Sequence, residues 1–315
     1  MSFSGNLRRE LAKAGVERQC CAVAELNGAI LASSGLSFRG PGRYGIGLNL
    51  DSQSSAERYK SIIQKFFGVD CAMTKLDTSR LGGLTRYAVI VPEQYGFALA
   101  EKLSLFDPDA PFGMRSAPTE DALSSEHCKK AFLRGAYIVA GAAADPQKGY
   151  HLEIDVPDRQ LAASITSVFG FFDINVRVSE RKQRFAVYIK DGDHMSAALA
   201  LMGAYNALLE FENTRVLRDC RNSANRLVNC DSANVDKSVA AAERQISAIK
   251  TISHTAGLDS LPDQLRELAY ARLNFPYSSL AELGASLNPP IGKSGVNARM
   301  RKIQLIAEDL SANRR

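Results

Sequence analysis

Apolar residues recur along this chain at two periods, and the periods switch in a repeating order. A helical spacing covers Leu7–Ser34. Gly40-Pro41-Gly42 then predicts a hairpin leading into a strand over Tyr44–Leu50. Ser54–Phe67 returns to helical spacing, with Ile62, Ile63, Phe66 and Phe67 apolar. Alternating patterns predict strands over Cys71–Leu76 and Thr85–Val91, and a helix follows over Glu93–Leu105. The order is α-β-β-α-β-β-α. Residues 106–119 contain Pro108, Pro111 and Pro118 and read as a linker.

The second half repeats this order. A helix over Ser124–Ala143 leads through a turn at Asp145-Pro146 to a strand over Tyr150–Val156. A helix over Asp158–Phe169, strands over Ile174–Ser179 and Arg184–Lys190, and a helix over Asp193–Phe211 complete it. The residues echo as well as the pattern. Cys21, Ala24, Leu26, Gly28 and Ala29 align without a gap on Cys128, Ala131, Leu133, Gly135 and Ala136. Phe67-Gly68 answers Phe169-Gly170, and Arg86–Val91 answers Arg184–Ile189. A duplication with a period of roughly one hundred residues is too long for a solenoid and implies two halves related by pseudo-twofold symmetry. The twin small-residue helices are the natural interface. Gly135 and Gly141 are placed to let a second backbone approach. Each half should form a small antiparallel sheet with one open face.

After Glu210 the strand pattern stops. The segment from Glu212 carries Arg215, Arg218, Arg221 and Arg226, and residues 233–254 read as one long helix. Three short helices end the chain. The first opens at Pro262 with Leu265, Leu268 and Ala269 inward. The second spans Ser278–Leu287, with Ser278 or Ser279 as N-cap. After the non-helical link Asn288-Pro289-Pro290-Ile291-Gly292, a third starts at Ser294. Its buried stripe is Val296, Met300, Ile303, Ala307 and Leu310.

Composition narrows the function classes only slightly. The net charge of +5 over 315 residues permits nucleic-acid binding without requiring it. No apolar run reaches membrane-spanning length and no export signal is visible, so a cytoplasmic protein without a membrane partner is expected. The six cysteines form no CxxC pair and read as small buried hydrophobes in a reducing compartment. His127-Cys128 is adjacent but lacks a second ligand pair at metal spacing, so no metal and no cofactor are expected. Gly292-Lys293-Ser294 resembles the end of a phosphate-binding loop, but Leu287 stands where its first glycine is needed.

The last helix carries the clearest chemistry. At 100° per residue, Ser294, Ala298, Arg301 and Lys302 face outward, flanked by Asn297 and Arg299. Cations hold phosphates, amides and guanidiniums read base edges, and a small residue lets a helix sit deep in a groove. Two short helices and a basic third form a helix-turn-helix arrangement. The candidate DNA-contacting residues are Ser278, Ser279, Lys293, Ser294, Asn297, Arg299, Arg301 and Lys302, with Arg221 and Arg226 tracking the backbone. A solvated basic face on a small helical lobe is the alternative.

Leu26-Asn27-Gly28 and Leu133-Arg134-Gly135 through Gly141 resemble the paired core helices of LAGLIDADG homing endonucleases. Phe132-Leu133-Arg134-Gly135-Ala136, Asn225–Cys230, Leu258-Asp259-Ser260-Leu261-Pro262 and Asn288–Asn297 together resemble the WhiA family of bacterial regulators, over nearly the whole chain. The resemblance implies an α+β fold: a duplicated LAGLIDADG-like α-β-β-α-β-β-α domain with pseudo-twofold symmetry, followed by an all-α helix-turn-helix domain. It implies LAGLIDADG-like halves at 1–108 and 120–213, a basic helical linker at 214–257 and a helix-turn-helix domain at 258–315.

It further implies a non-enzymatic, nucleoid-associated transcriptional regulator that binds double-stranded promoter DNA in sporulation, or in cell division and chromosome segregation. In the nucleases the eighth motif residue is a metal-holding acid; here those positions are Ser33 and Ala140. Two alternatives remain open. One is an adaptor whose duplicated domain binds a regulatory protein or small ligand; the other is a nuclease with displaced ligands.

Overall fold

The computed structural model describes residues 2–76 and 85–312, with the side chains of 227, 230, 231 and 233 excepted. The chain divides into two compact units, Met1–Arg218 and Asp219–Arg315. The first is the duplicated domain. Its elements are α1 (Phe3–Leu11), α2 (Gln19–Ala32), β1 (Leu36–Gly40), β2 (Arg43–Leu50), α3 (Gln53–Phe67), β3 (Ala72–Leu76), β4 (Arg86–Ile90) and α4 (Glu93–Lys102), then α5 (Glu126–Ala140), β5 (Gly141–Ala143), β6 (Leu152–Val156), α6 (Arg159–Phe171), β7 (Arg177–Arg181), β8 (Arg184–Ile189) and α7 (Gly192–Met202). The strand orders β1-β2-β4-β3 and β5-β6-β8-β7 are the same, and all described pairs are antiparallel. The duplication read in the sequence is therefore a duplication of topology.

α2 and α5 pack against each other at the centre, and the apolar core runs continuously through both halves. Their small residues make the approach close. A β-carbon at Gly28 would stand 2.2 Å from the Phe132 carbonyl oxygen, and one at Gly135 would stand 2.0 Å from that of Glu25. Only glycine fits either position. Gly141 has a different task. It ends α5 and opens β5, and the nearest atoms to a β-carbon there belong to Tyr137 of its own helix.

Three helical spans differ from the pattern reading. Leu7–Ser34 is two helices, because the chain leaves α1 at Ala12 and re-enters at Gln19. Both pieces are apolar on their buried sides, so periodicity alone joined them. The helix expected over Ser124–Ala143 stops at Ala140, and Gly141–Ala143 pair with Leu152–Ile154. The helix expected over Asp193–Phe211 breaks at Gly203, whose left-handed backbone (φ 89°) ends α7. α8 then runs from Tyr205 to Thr255. The expected linker at 214–257 thus lies almost wholly within one helix.

The core of the duplicated domain also holds charge. Glu25 is fully buried and accepts from Arg58 Nη2 at 2.7 Å and from Arg134 Nε at 3.1 Å. Arg58 also donates to the carbonyls of Ala12, at 3.2 Å, and Ala14. Burial disfavours the Arg58 charge, but the hydrogen bonds and charge of Glu25 outweigh it and hold the pKa above its ordinary value. This cluster ties the α1–α2 connection, α3 and both central helices together.

The second unit contains the C-terminal part of α8, a 3₁₀ turn at Leu258–Ser260, α9 (Asp263–Asn274), α10 (Leu280–Ala285) and α11 (Lys293–Ala312). Its core comprises Ile249, Ile252, Leu265, Leu268, Ala269, Leu283, Leu287, Val296, Met300, Ile303 and Ala307. The inward residues read from sequence are buried, with Leu280 and Leu310 half-buried at its edge.

Candidate nucleic-acid interface

The helix-turn-helix is α10, its link and α11. α10 is only six residues long, so its start is decided by capping. Ser279 Oγ accepts from the Glu282 N–H at 3.2 Å, and Glu282 Oε2 accepts from the Ser279 N–H at 2.8 Å. The Ser279 hydrogen bonds hold the Glu282 carboxyl below its ordinary range. The link back to α11 is pinned to α10. Ile291 N–H donates to the Gly284 carbonyl at 2.9 Å, and a β-carbon on Gly284 would stand 2.1 Å from the Ile291 oxygen. The Asn288 N–H donates to Glu267 Oε1 of α9 at 2.8 Å. Buried Arg272 closes the other connection by donating to the carbonyls of Pro276, at 3.1 Å, and Ser278, at 2.7 Å. Sequence periodicity gives no sign of that arginine's burial.

α11 separates its residues by chemistry. Val296, Met300, Ile303 and Ala307 are buried, while Lys293, Ser294, Asn297, Ala298, Arg301 and Lys302 are exposed. Arg299 is half-buried. Among the described residues, none of Lys293, Arg299, Arg301 and Lys302 is in an ion pair. Ser279 is exposed with its hydroxyl engaged in the cap, and Ser278 is half-buried. Arg221 and Arg226 are exposed on α8, with Arg226 Nε donating to the Asn222 carbonyl at 3.3 Å. Arg215 and Arg218 belong to the other unit. Arg215 pairs with Asp193 and Glu212, and Arg218 lies over the Tyr150 ring, 5.0 Å from its centroid.

At the C-terminal ends of the twin helices, where a nuclease would hold metal, the residues do not fit a cation. The Ser33 hydroxyl donates to the Ala29 carbonyl at 2.7 Å, and Ala140 has no ligand atom. Arg8 donates through Nε at 3.1 Å to the carbonyl of Gly141, the residue that ends α5, and pairs with Asp51. A fixed cation already meets that helix terminus.

The opposite ends hold a grouping that spacing in sequence does not reveal. Cys20, Cys21, His127 and Cys128 bring their ligand atoms within 4.8 Å of one another. The absence of a second ligand pair for His127-Cys128 holds only along the chain. Burial, then Cys20, pushes the Cys128 thiol up to about 12, and burial raises Cys21. Of the cysteines expected to be buried, Cys71 and Cys128 are, Cys21 is half-buried, and Cys20 and Cys220 are exposed. Cys20 lies in the first turn of α2, ahead of the stretch Ala24–Ala32 that is buried on every side. Cys220 lies on the outer side of α8. The side chain of Cys230 lies outside the described residues.

Fold and site together define a duplicated LAGLIDADG-like α+β domain joined to a helical helix-turn-helix domain. Family models agree segment by segment: the WhiA N-terminal LAGLIDADG-like domain matches residues 19–106, the WhiA LAGLIDADG-like domain 129–221, and the WhiA C-terminal HTH domain 224–307. The chain is 37% identical to the "Probable cell division protein WhiA" of Alkaliphilus metalliredigens over 310 residues, covering 98% of each. It is 35% identical to the protein of the same name from Clostridium beijerinckii over 316 residues, covering 100% of each. The crystal structure of full-length WhiA from Thermatoga maritima shares the fold, with a TM-score of 0.61 at 24% identity over 98% of this chain and 99% of that one. The chain belongs to the WhiA family.

Proposed function

We propose that this chain is a sequence-specific, DNA-binding transcriptional regulator without enzymatic activity. It acts on promoter DNA at the nucleoid, in cell division and chromosome segregation or in sporulation. The observation that carries this reading is the outer face of α11, where Lys293, Arg301 and Lys302 stand exposed beside Asn297 without an ion-pair partner among the described residues, opposite the buried Val296, Met300, Ile303 and Ala307. Cations without acidic partners are free to replace phosphate counterions, and an amide on the same face can read a base edge. The name of the relatives supports the cell-division setting. Ser33, Ala140 and the Arg8 contact to Gly141 argue against metal-dependent cleavage.

The test is promoter binding by full-length R301A/K302A across a salt series. The expected result is weaker binding, with a salt slope reduced by about one for each phosphate that no longer meets a cation. Unchanged affinity and slope would remove α11 as the reading helix. Plasmid cleavage dependent on Mg²⁺ would remove the non-enzymatic reading.

A second reading, an adaptor for a regulatory protein, is favoured by the sheets. Their arginines are largely engaged with their own acids, as in Arg86–Asp51 at 3.7 Å, Arg181–Glu153 at 3.2 Å and Arg184–Asp155 at 2.5 Å. Meanwhile Met73, Ile90 and Val178 stand exposed on strands. Strands whose arginines are held by acids and which expose apolar residues suit protein better than DNA. If R301A/K302A loses promoter binding yet still supports cell division, the adaptor reading prevails.

A further inference from the structure

We propose that Cys20, Cys21, His127 and Cys128 form a structural Zn²⁺ site that clasps the two halves of the duplicated domain across their pseudo-twofold axis. The site is built by symmetry. Cys20 and Cys21 are the second and third residues of α2, and His127 and Cys128 are the second and third residues of α5. The close approach at Gly28 and Gly135 sets the two helices near enough for both dipeptides to meet. Each half therefore contributes two ligands from equivalent positions, and neither half holds the set alone.

The geometry is close to a coordination shell. With ordinary Zn–S and Zn–N bonds, the edges of a tetrahedral site are about 3.8 Å between sulfurs and about 3.6 Å between sulfur and nitrogen. His127 Nδ1 lies 3.3 Å from both Cys21 Sγ and Cys128 Sγ, and all four ligand atoms lie within 4.8 Å of one another. Three thiolates and one imidazole select zinc over hard cations such as Mg²⁺. Four protein ligands leave no open position for water, so the site is structural and not hydrolytic.

The surroundings suit the charge. Three thiolates around Zn²⁺ carry a net negative charge, and binding releases the thiol protons to solvent. The site sits at two helix N-termini, which favour negative charge. The N-caps of α2 and α5, Arg18 and Ser125, make no side-chain cap hydrogen bond, so no capping side chain competes at either helix terminus. Arg18, Lys130 and Arg134 line a cavity of about 280 Å³ that reaches Cys21 and His127 and offers entry from solution. This pole lies at the opposite end of the twin helices from Ser33 and Ala140, about 20 Å away for a helix of 14 residues. It is a different place from the metal site of the nucleases.

The test uses the full-length chain, purified with a non-thiol reductant and no chelator. Elemental analysis should find about one zinc per chain, as a closed four-ligand site requires. After stripping, Co²⁺ should produce a thiolate-to-cobalt charge-transfer band and the intense visible bands of a tetrahedral ion. Cys20→Ser and His127→Asn should each weaken metal binding by about tenfold or more. Cys220→Ser, in the other unit, should leave it unchanged. A folded wild-type chain that takes up neither zinc nor cobalt with a thiolate band would overturn the proposal. So would iron with sulfide in place of zinc, a disulfide among these cysteines under reducing conditions, or wild-type spectra from the Cys20 and His127 variants. If a variant fails to fold, the wild-type stoichiometry and cobalt spectrum still decide.

Discussion

Gly135 of α5 meets Glu25 of α2 so closely that a β-carbon on the glycine would stand 2.0 Å from the glutamate's carbonyl oxygen. The obstacle is backbone, so no side-chain rotation relieves it. Gly135→Ala and Gly28→Ala should each destabilise the duplicated domain by about 1–3 kcal/mol or more, the cost of overpacking a close-packed interface. Urea unfolding of each full-length variant measures this. Equal midpoints for G135A and wild type would mean the helices are free to move apart.

Glu25 serves two arginines, whereas each arginine finds its charge partner in one glutamate. Removing the glutamate should therefore cost more than removing either cation. Glu25→Ala leaves Arg58 and Arg134 without their anion and should cost about 3–5 kcal/mol, the range for breaking a buried pair. Arg134→Ala leaves the Arg58–Glu25 pair intact and should cost less. Chemical denaturation of the two variants provides the comparison; the reverse order would show that the charges are not held as a cluster.

On the proposed DNA-binding role, the α11 face should divide into groups that hold and groups that read. Lys302→Ala should weaken binding to all DNA sequences alike and lower the salt slope, while Asn297→Ala should relax base preference and leave the slope nearly unchanged. Binding titrations on specific and scrambled duplexes separate the two. Loss of base preference in K302A would assign that lysine to base readout.

Gly284→Ala touches no cation, yet its β-carbon would meet the Ile291 oxygen at 2.1 Å and displace the link that aims α11. DNA affinity should fall although every residue proposed to contact DNA remains. Full affinity in this variant would show that the angle between α10 and α11 is unimportant for binding.

The capping box at Ser279 should give α10 a pH dependence. Hydrogen bonds from Ser279 hold the folded pKa of Glu282 below its unfolded value. Its contribution is therefore complete above the unfolded pKa and is lost as pH falls through the folded one. The protection factors of α10 amides, taken relative to intrinsic exchange at each pH, should fall across that acidic window in the wild type. Glu282→Gln should remove most of the pH dependence.

Local pattern is enough for six of the eight described strands and most helices, because a half-buried element carries its period in its own residues; Gly141–Ala143 reads as helix and becomes a strand only by pairing with Leu152–Ile154. Gly135 is legible as a close-approach position from its small neighbours, and Gly28 as its aligned counterpart, whereas Gly141, read the same way as Gly135, meets only Tyr137 of its own helix; Val296, Met300 and Ile303 are legible from helical spacing. The breaks after Leu11 and at Gly203 were not, since an apolar run reads the same on one helix or two. Nothing in local spacing marks Arg272 and Glu25 as buried. Their burial depends on carbonyls and cations brought from elsewhere in the chain.

The sequence by itself determined the duplication, most of the order of elements and the amphipathic pattern of the last helix, since each is written in the residues themselves. Tertiary structure alone decided what those residues meet. It put Arg8 at the Gly141 carbonyl, made Glu25 the shared anion of two arginines, and joined Cys20-Cys21 to His127-Cys128 across more than one hundred positions of chain. The alignment of Cys21 with Cys128 already contained that last meeting in outline. Only the packing of two glycine-bearing helices turned equivalence in sequence into contact in space, because spacing rules cover ligands on one segment and symmetry brings together two.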